Sequence, residues 1–171
     1  MPIVTVTGGP RLAVIRRLFR EYQADLGVDL CFQSFEEELA SLPGRYGPPD
    51  GILLLAHHGR HTAGCVALRD LGRGVCEMKR MFVRPKFRGH GIGRALAEAV
   101  LKAGRRLGYR TMKLDTVSKL KAALELYRRL GFRKTAPYCH NPLADAIFLA
   151  KQLNPTSLRI RPTFSRKTRN S

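Results

Sequence analysis

With 171 residues, 44% of them apolar and 26% charged, the chain has the size and composition of one globular domain with a hydrophobic core. No apolar run approaches the roughly 18 residues that a membrane-spanning helix needs, so the sequence predicts no such span. The formal net charge of +18 is unevenly spread, because residues 71–153 hold 19 Lys and Arg against 5 Asp and Glu, whereas residues 1–70 hold 7 against 8. Such a field attracts anions, whether nucleic acid, an acidic membrane surface or a phosphorylated cofactor, or it only keeps the surface soluble.

Cysteine and histidine positions give no sign of a metal site. The four cysteines stand apart at positions 31, 65, 76 and 139, without a Cys-x-x-Cys pair, and structural zinc needs clustered ligands. His57 and His58 fall on opposite faces of a predicted strand, so they do not converge with His61 on one ion. The N-terminus lacks the basic region and long apolar stretch of a secretory signal. We therefore expect a cytoplasmic protein with free thiols and no bound metal.

The first half of the chain predicts the order strand, helix, helix and three strands. Residues 3–7 alternate as in a strand, and a helical pattern follows over residues 10–26. Ser34 and Glu37 have the spacing of a capping box, which predicts a short second helix. Three further strands are predicted at residues 51–57, 61–68 and 75–83.

The second half predicts helix, strand, helix and two strands. A glycine-rich loop precedes a helix over residues 93–107, and Ser118 is a candidate N-cap for a helix that ends at Gly131. Strands are predicted at residues 111–116, 132–135 and 146–153. The order βααβββαβαββ predicts a mixed α/β (α+β) sheet with helices on its faces, in one domain over residues 1–153. Residues 154–171 are polar, basic and aperiodic, which predicts a flexible C-terminal tail.

The loop before the third helix reads Arg88-Gly89-His90-Gly91-Ile92-Gly93. Glycines let the backbone approach a ligand closely, and a helix N-terminus offers unpaired N–H groups with a partial positive charge, so this arrangement favours phosphate binding. Two other phosphate motifs do not fit, because the dinucleotide fingerprint fails at Arg94 and no Gly-Lys-Ser/Thr follows. A plain tight turn before a helix is the alternative.

The spacing Arg88-x-x-Gly91-x-Gly93 matches the Arg/Gln-x-x-Gly-x-Gly/Ala signature of the GNAT superfamily of N-acetyltransferases. A second segment, Ala123-Leu-Glu-Leu-Tyr-Arg-Arg-Leu-Gly-Phe132, is similar to the A-x-x-L-Y-x-x-x-G-F end of the same fold. The resemblance extends over about residues 3–153 and is most specific over residues 77–93. Within the superfamily the chain resembles small bacterial proteins whose acceptors are mostly undefined.

This resemblance implies an acyl-CoA N-acyltransferase fold and acetyl-CoA as co-substrate. In such a fold the fourth and fifth strands splay apart, the pantetheine arm pairs with the fourth strand in the gap, and the pyrophosphate rests on the amides of the glycine loop. The implied cofactor-binding residues are Met81, Phe82, Val83, Arg88, Gly89, His90, Gly91, Ile92, Gly93 and Arg94. One departure is Leu120, which stands where many relatives have an Asn that bonds the pantetheine arm.

Acetyl transfer to an amine needs a neutral amine, stabilisation of the oxyanion and a proton for the departing thiolate. Glu77 stands at the spacing of the family's strand glutamate and is the candidate base; the alternative is a solvated glutamate paired with Lys79 or Arg80. A bulge in that strand, usual in the family, would change which side chains share a face and free a backbone N–H for the thioester oxygen. Tyr127, at the family tyrosine position, is the candidate acid for the leaving sulfur; the alternative is a core aromatic.

Acceptor pockets in this fold are built from the first two helices and the loop between the last two strands. Here the candidate lining residues are Phe32, Gln33, Tyr138, His140 and Asn141, with simple packing as the alternative. The preferred function is acetylation of a primary amine, of a small molecule or amino acid, by direct attack in a ternary complex. Alternatives are a protein lysine or N-terminal acetyltransferase, or a non-catalytic module that binds CoA or nucleic acid. We expect no membrane partner, disfavour nucleic acid and leave a homodimer open.

Overall fold

The computed structural model describes residues 1–30 and 34–154. Seven strands are present: β1 (Ile3–Thr5), β2 (Ile52–His58), β3 (His61–Gly72), β4 (Val75–Val83), β5 (Thr111–Val117), β6 (Arg133–Lys134) and β7 (Ala146–Gln152). Four α-helices accompany them: α1 (Arg11–Leu26), α2 (Phe35–Ser41), α3 (Ile92–Arg106) and α4 (Lys121–Arg129). Their order along the chain is the predicted βααβββαβαββ, which confirms the mixed α/β fold. The predicted tail lies outside the described residues from position 155 onward.

The seven strands form one sheet in the order β1-β2-β3-β4-β5-β7-β6, and every neighbouring pair is antiparallel except β4 and β5. That parallel pair is short, because only residues 75–77 of β4 pair with residues 111–113 of β5. Beyond Glu77 the two strands are no longer paired, so a gap opens between them in the middle of the sheet. The expected splay of these strands is therefore confirmed.

The sheet is covered on both faces, which explains the continuously apolar run of β2 from Ile52 to Ala56. On one face α3 and α4 pack through buried residues such as Leu96, Val100 and Tyr127. On the other face α1 and α2 contribute Phe19 and Phe35 to a second core. Among the described residues no helix is long and apolar enough to cross a membrane.

Three local predictions were wrong. Ser34 does occupy the N-cap of α2, but its φ of 55° is left-handed and its side chain makes no cap hydrogen bond, so there is no capping box. The α4 helix begins at Lys121 rather than directly after Ser118, because the Ser118 hydroxyl donates to Asp145 Oδ2 at 2.8 Å and fastens that loop instead. The strand predicted at 132–135 shrinks to the two-residue β6, since Phe132 is buried in the core beside Tyr127.

Strand β4 carries a bulge at Arg80. The register steps from Ala67 paired with Lys79 to Cys65 paired with Phe82, so three steps on β4 face two on β3. Arg80 adopts a φ of 55°, in the left-handed region that side chains avoid. As a result Lys79 and Arg80 both face α2, whereas Met81 returns to the α3 side. The bulge that the family resemblance implies is present.

Replacing Gly64 by alanine tests how closely β3 packs against this bulged strand. A Cβ at Gly64 would collide with the carbonyl oxygen of Phe82 and lie 3.2 Å from Val83 Cα. We expect Gly64→Ala to lower the free energy of unfolding by about 1–3 kcal/mol, measured from urea midpoints at constant m value. Gly8→Ala is the control, since a Cβ there meets nothing within 4 Å. Equal midpoints for the two variants would contradict the close packing.

Candidate active site

The glycine loop turns the chain from β4 into α3. A short 3₁₀ turn at Pro85–Phe87 ends at Arg88, and Gly89 and Gly91 then take φ values of 82° and 76°, which a residue with a Cβ adopts only with strain. Gly91 is the N-cap of α3, and it offers no side-chain cap bond to the first turn. The amides of that turn are therefore available to an anion, as the sequence predicts.

A cavity of about 540 Å³ lies in front of this loop, and we call it the loop groove. Its walls are Tyr22 and Asp25 of α1, residues 81–83 of β4, residues 87–89 and 91–93 of the loop, and residues 119–123, 126 and 127 around α4. Eight of the ten predicted cofactor residues lie in these walls. The two others do not: the ring of His90 lies 5.2 Å from that of His58, and Arg94 Nε donates to Glu98 on the surface of α3. Leu120, at the position of the family asparagine, is also part of the wall.

Acidic residues of α1 pair with arginines at the end of β4 and at the start of the loop. Arg88 Nη2 donates to Asp25 Oδ2 at 2.8 Å, and Arg84 makes two hydrogen bonds of 2.8 Å to Glu21. Lys119 lies on the opposite wall of the groove. A phosphate entering the loop groove therefore meets an arginine that already has a carboxylate partner.

Where β4 and β5 separate, a smaller cavity of about 70 Å³ continues from the groove, and we call it the central cavity. It is lined by residues 78–81 of β4 and residues 114–117 of β5, together with side chains from α1, α4 and the β6–β7 loop. Tyr127 lies in the walls of both the loop groove and the central cavity. Burial, and then the nearby Tyr22, raise the pKa of Tyr127, so the phenol stays protonated at neutral pH.

Glu77 is fully buried and lies in the wall of none of the cavities described here. Arg69 Nε donates to Glu77 Oε1 at 2.7 Å, and the Tyr138 hydroxyl donates to Oε2 at 2.6 Å. The alternative of a solvated glutamate paired with Lys79 or Arg80 is therefore wrong, because the partners are others and the carboxylate is enclosed. The structure places Tyr138, a predicted acceptor residue, directly on the predicted base.

The carboxylate that does line the central cavity is Asp115 on β5. Lys79 Nζ lies 3.6 Å from Oδ1, and the amide of Asn141 donates to Oδ2 at 3.0 Å. Both charged side chains are 6% exposed. Sequence reasoning missed Asp115, although a signal was present: Lys113 and Asp115 alternate with the apolar Met112 and Leu114 on an inner strand.

A third cavity, of about 250 Å³, lies between α2 and the β6–β7 loop, and we call it the polar cavity. Its described walls are Ser34, Glu38, Arg69, Lys79, Arg80, Cys139 and His140. Arg80 donates from Nε and Nη2 to Glu38, which also accepts the Tyr46 hydroxyl at 2.6 Å. Of the predicted acceptor residues, Asn141 lines the central cavity, while Phe32 and Gln33 lie outside the described residues.

Within residues 1–30 and 34–154 no group of three or more His, Cys, Asp or Glu side chains is placed to hold a metal ion. The rings of His58 and His61 contact the ring of Phe87, and the ring of His90 contacts that of His58. Cys65 and Cys76 are buried free thiols, and burial raises the pKa of Cys76 to about 12, so neither acts as a nucleophile at neutral pH.

Comparison with known proteins agrees with this geometry. The model of the acetyltransferase (GNAT) family matches residues 14–132. An uncharacterized N-acetyltransferase of Schizosaccharomyces pombe is 41% identical over 141 residues, which cover 81% of this chain and 86% of the yeast protein. An acetyltransferase structure from Streptococcus agalactiae superposes with a TM-score of 0.74 at 23% identity, over 89% of this chain and 98% of that one. The structure of yncA from Salmonella typhimurium with its cofactor acetyl-CoA superposes with a TM-score of 0.67 at 21% identity, over 93% of this chain and 98% of that one.

The hydrogen bond from Tyr138 to the buried Glu77 carboxylate is expected to matter for stability. Because bonds to charged groups are stronger than neutral ones, Tyr138→Phe should lower the free energy of unfolding by about 1.5–3 kcal/mol. Tyr109→Phe is the matched control, since the Tyr109 hydroxyl donates at 2.6 Å to the neutral carbonyl of Asp50 and its loss should cost about 1 kcal/mol. Urea unfolding of both variants measures the difference, and a Tyr138 variant no less stable than the Tyr109 variant would contradict it.

Proposed function

The chain belongs to the acetyltransferase (GNAT) family and is an acetyl-CoA-dependent N-acetyltransferase, and we propose that its acceptor is a primary amine of a small molecule or amino acid. The observation that carries this proposal is the connection between the loop groove and the splayed strands. A groove with free helix-end amides suits the phosphates of the co-substrate. Its wall includes Tyr127, which also lines the central cavity, and the central cavity shares Lys79 and Arg80 with a polar cavity of about 250 Å³. A cavity of that volume suits a small acceptor better than a folded protein surface.

The proposed binding of acetyl-CoA uses the residues predicted from the sequence, with two adjustments. The loop amides at Gly89 to Gly93 take the pyrophosphate, and Arg88 adds a full positive charge once it leaves Asp25. The backbone of Met81 to Val83 lines the path of the pantetheine arm. His90 and Arg94 point elsewhere and are not needed for this contact, while Leu120 gives the arm an apolar wall in place of an amide.

In the proposed reaction the neutral amine attacks the thioester carbonyl carbon directly. A C–N bond forms, the C–S bond breaks, the amine loses one proton, and the departing thiolate takes a proton from Tyr127. The bulge at Arg80 leaves a backbone N–H near Met81 outside the ladder, where it can donate to the developing oxyanion. Burial keeps the Tyr127 hydroxyl protonated and therefore available to the leaving sulfur. The same raised pKa makes Tyr127 a weaker acid than free tyrosine, so the transfer depends on the return of a proton from the reacting amine.

The assignment of Glu77 as the base stays a prediction. Its carboxylate lies behind Tyr138 and Arg69, so it exchanges a proton with an acceptor only through the Tyr138 hydroxyl or after Tyr138 moves. Burial, and then the neighbouring Glu77 carboxylate, raise the pKa of Tyr138, so a relay would pass through a protonated phenol.

Calorimetric titration of acetyl-CoA tests the first part of this proposal. Gly91→Glu places a side chain on a residue with positive φ and a negative charge at the phosphate site, so affinity should fall at least about tenfold, or 1.4 kcal/mol. Gly9→Glu is the matched control: Gly9 has a φ of 71° and open space around it, but lies in no wall of the loop groove. Wild-type protein that does not bind acetyl-CoA, or equal affinities for both variants, would contradict the assigned groove.

Removing the Tyr127 hydroxyl tests its role as the acid. Tyr127→Phe should lower kcat by roughly 10²–10⁴-fold while leaving the affinity for acetyl-CoA nearly unchanged, measured by thiol release and calorimetry. Because the pKa of Tyr127 is raised above that of free tyrosine, the wild-type kcat should not fall through deprotonation of this residue below about pH 10. Tyr109→Phe is the control for loss of a hydroxyl outside the site, and full activity of the Tyr127 variant would remove Tyr127 from the mechanism.

A further inference from the structure

The three cavities are neighbours in series, and we call this series the path. The loop groove and the central cavity share Tyr22, Met81, Leu120, Ala123 and Tyr127 as walls. The central cavity and the polar cavity share Lys79 and Arg80. The shared walls place the polar cavity beside the gap between β4 and β5, where an acceptor would meet the thioester.

Along this path one carboxylate lines the central cavity, where we expect the reaction to take place. Asp115 is the only acidic residue in the wall of the central cavity, as far as the described part of the chain is concerned. Its Oδ2 accepts a hydrogen bond from the Asn141 amide at 3.0 Å and a long one from the Cys139 thiol at 4.0 Å, while Lys79 Nζ lies 3.6 Å from Oδ1, beyond hydrogen-bonding distance. An incoming ammonium would find a carboxylate there, whereas Glu77 has both of its oxygens bound at 2.7 Å or less.

At the other end of the path, Arg69 lines the polar cavity, and only one nitrogen of its guanidinium is hydrogen-bonded to a described residue. Its Nε is bound to Glu77, but both Nη groups lack a protein partner among the residues that the structure describes. The side chain is 24% exposed. A planar guanidinium held at one nitrogen presents its remaining donors in the geometry that a carboxylate accepts.

The two groups lie on the same face of the sheet at a separation that a small molecule can bridge. Arg69, Glu77 and Lys113 are cross-strand neighbours in one row, and Asp115 is two residues beyond Lys113. Two strand spacings and two residues along the strand place the Cα atoms of Arg69 and Asp115 at least about 12 Å apart, since Asp115 lies beyond the last paired residues of β4 and β5. Arg69 leans toward β4, because its Nε is bound to Glu77, and this shortens the distance that a compact ligand has to bridge.

We propose that the acceptor is a small amino acid whose carboxylate binds Arg69 and whose ammonium is received by Asp115. This inference rests on the proposed function and names its substrate class. Asp115 pairs with the ammonium and takes one proton from it, which gives the neutral amine. As the C–N bond forms and the C–S bond breaks, Tyr127 gives its proton to the departing sulfur, and the second proton that the nitrogen loses restores the Tyr127 hydroxyl. Lys79 and Asn141 hold Asp115 in place and act as positioning residues.

The test compares matched acceptors that differ only in the carboxylate. Alanine and ethylamine form one pair and phenylalanine and 2-phenylethylamine another, with release of the CoA thiol as the readout. In any pair that wild-type protein acetylates, we expect kcat/KM to be at least about tenfold higher for the amino acid than for the amine. The difference reflects the binding of the amino acid's carboxylate to Arg69. Arg69→Gln should bring the ratio close to one through KM, and Arg69→Lys, which keeps a partner for Glu77, should restore part of it. Arg129→Gln, on the exposed face of α4, is the control.

Asp115→Asn tests the other anchor. The variant should lower kcat/KM for both members of a pair by about 100-fold or more, as expected for loss of a general base, while the affinity for acetyl-CoA stays within about twofold. Glu98→Gln, which removes a carboxylate of a surface ion pair on α3, is the control.

Several results would overturn the inference. These are equal rates for amino acids and their carboxylate-free amines, acetylation of no amino acid in a panel of the twenty common ones, or loss of activity in Glu77→Gln but not in Asp115→Asn. In each of these cases acetyl-CoA still binds, so the cofactor assignment stands. Failure of wild-type protein to bind acetyl-CoA would instead remove the proposed function itself.

Discussion

The bulge at Arg80 is the constraint on which the arrangement of the site depends. Strand alternation alone would direct residues 77, 79, 81 and 83 to one face, so that the walls of the groove and of the polar cavity would be mixed. The extra residue reverses the alternation, which sends Lys79 and Arg80 toward α2 and Met81 toward α3. Its left-handed backbone is held by the Arg80 side chain, which is bound to Glu38 and lies 5.1 Å from the ring of Phe35. The left-handed backbone of Arg80 and the ion pair of its side chain with Glu38 of α2 therefore occur at the same residue and depend on each other.

Three ion pairs with little solvent exposure lie on the same face of the sheet. Because burying their charges costs desolvation free energy, we interpret them as serving function rather than stability. Glu77 with Arg69, Lys79 with Asp115 and Arg80 with Glu38 each place opposite charges where water is scarce. Desolvation of such charges offsets most or all of their attraction, so apolar side chains would stabilise the fold as well. The three pairs together carry no net charge, so this surface suits a ligand that carries charges of both signs. For the same reason, the net charge of the whole chain does not predict the local charge here.

Local signals in the sequence predicted the element order and the glycine loop, whereas the splayed strands, the bulge and the residues of the groove were implied by the resemblance to the family. Glycine spacing fixes the loop at Gly89 and Gly91, and hydrophobic periodicity fixes the helices. The remainder depends on contacts between distant segments. Glu77 is bound to Tyr138, which lies 61 residues away in the chain, and no local pattern predicts that contact. Nor does a local pattern predict that Asp115 lies in the wall of the central cavity, because that position depends on how distant segments pack. Ser118 does not cap a helix because the distant Asp145 accepts its hydroxyl, and Ser34 makes no cap hydrogen bond from its left-handed backbone conformation.

The pairing of Arg88 with Asp25 also changes how the positive field of the protein operates. Not all of the formal charge of +18 is available to an anion, since at the loop the Arg88 guanidinium is already paired with Asp25 of α1. Asp25 belongs to the last turn of α1, whose Tyr22 and Leu26 form walls of the central cavity. The single ion pair therefore ties the glycine loop to the helix that lines the neighbouring cavity.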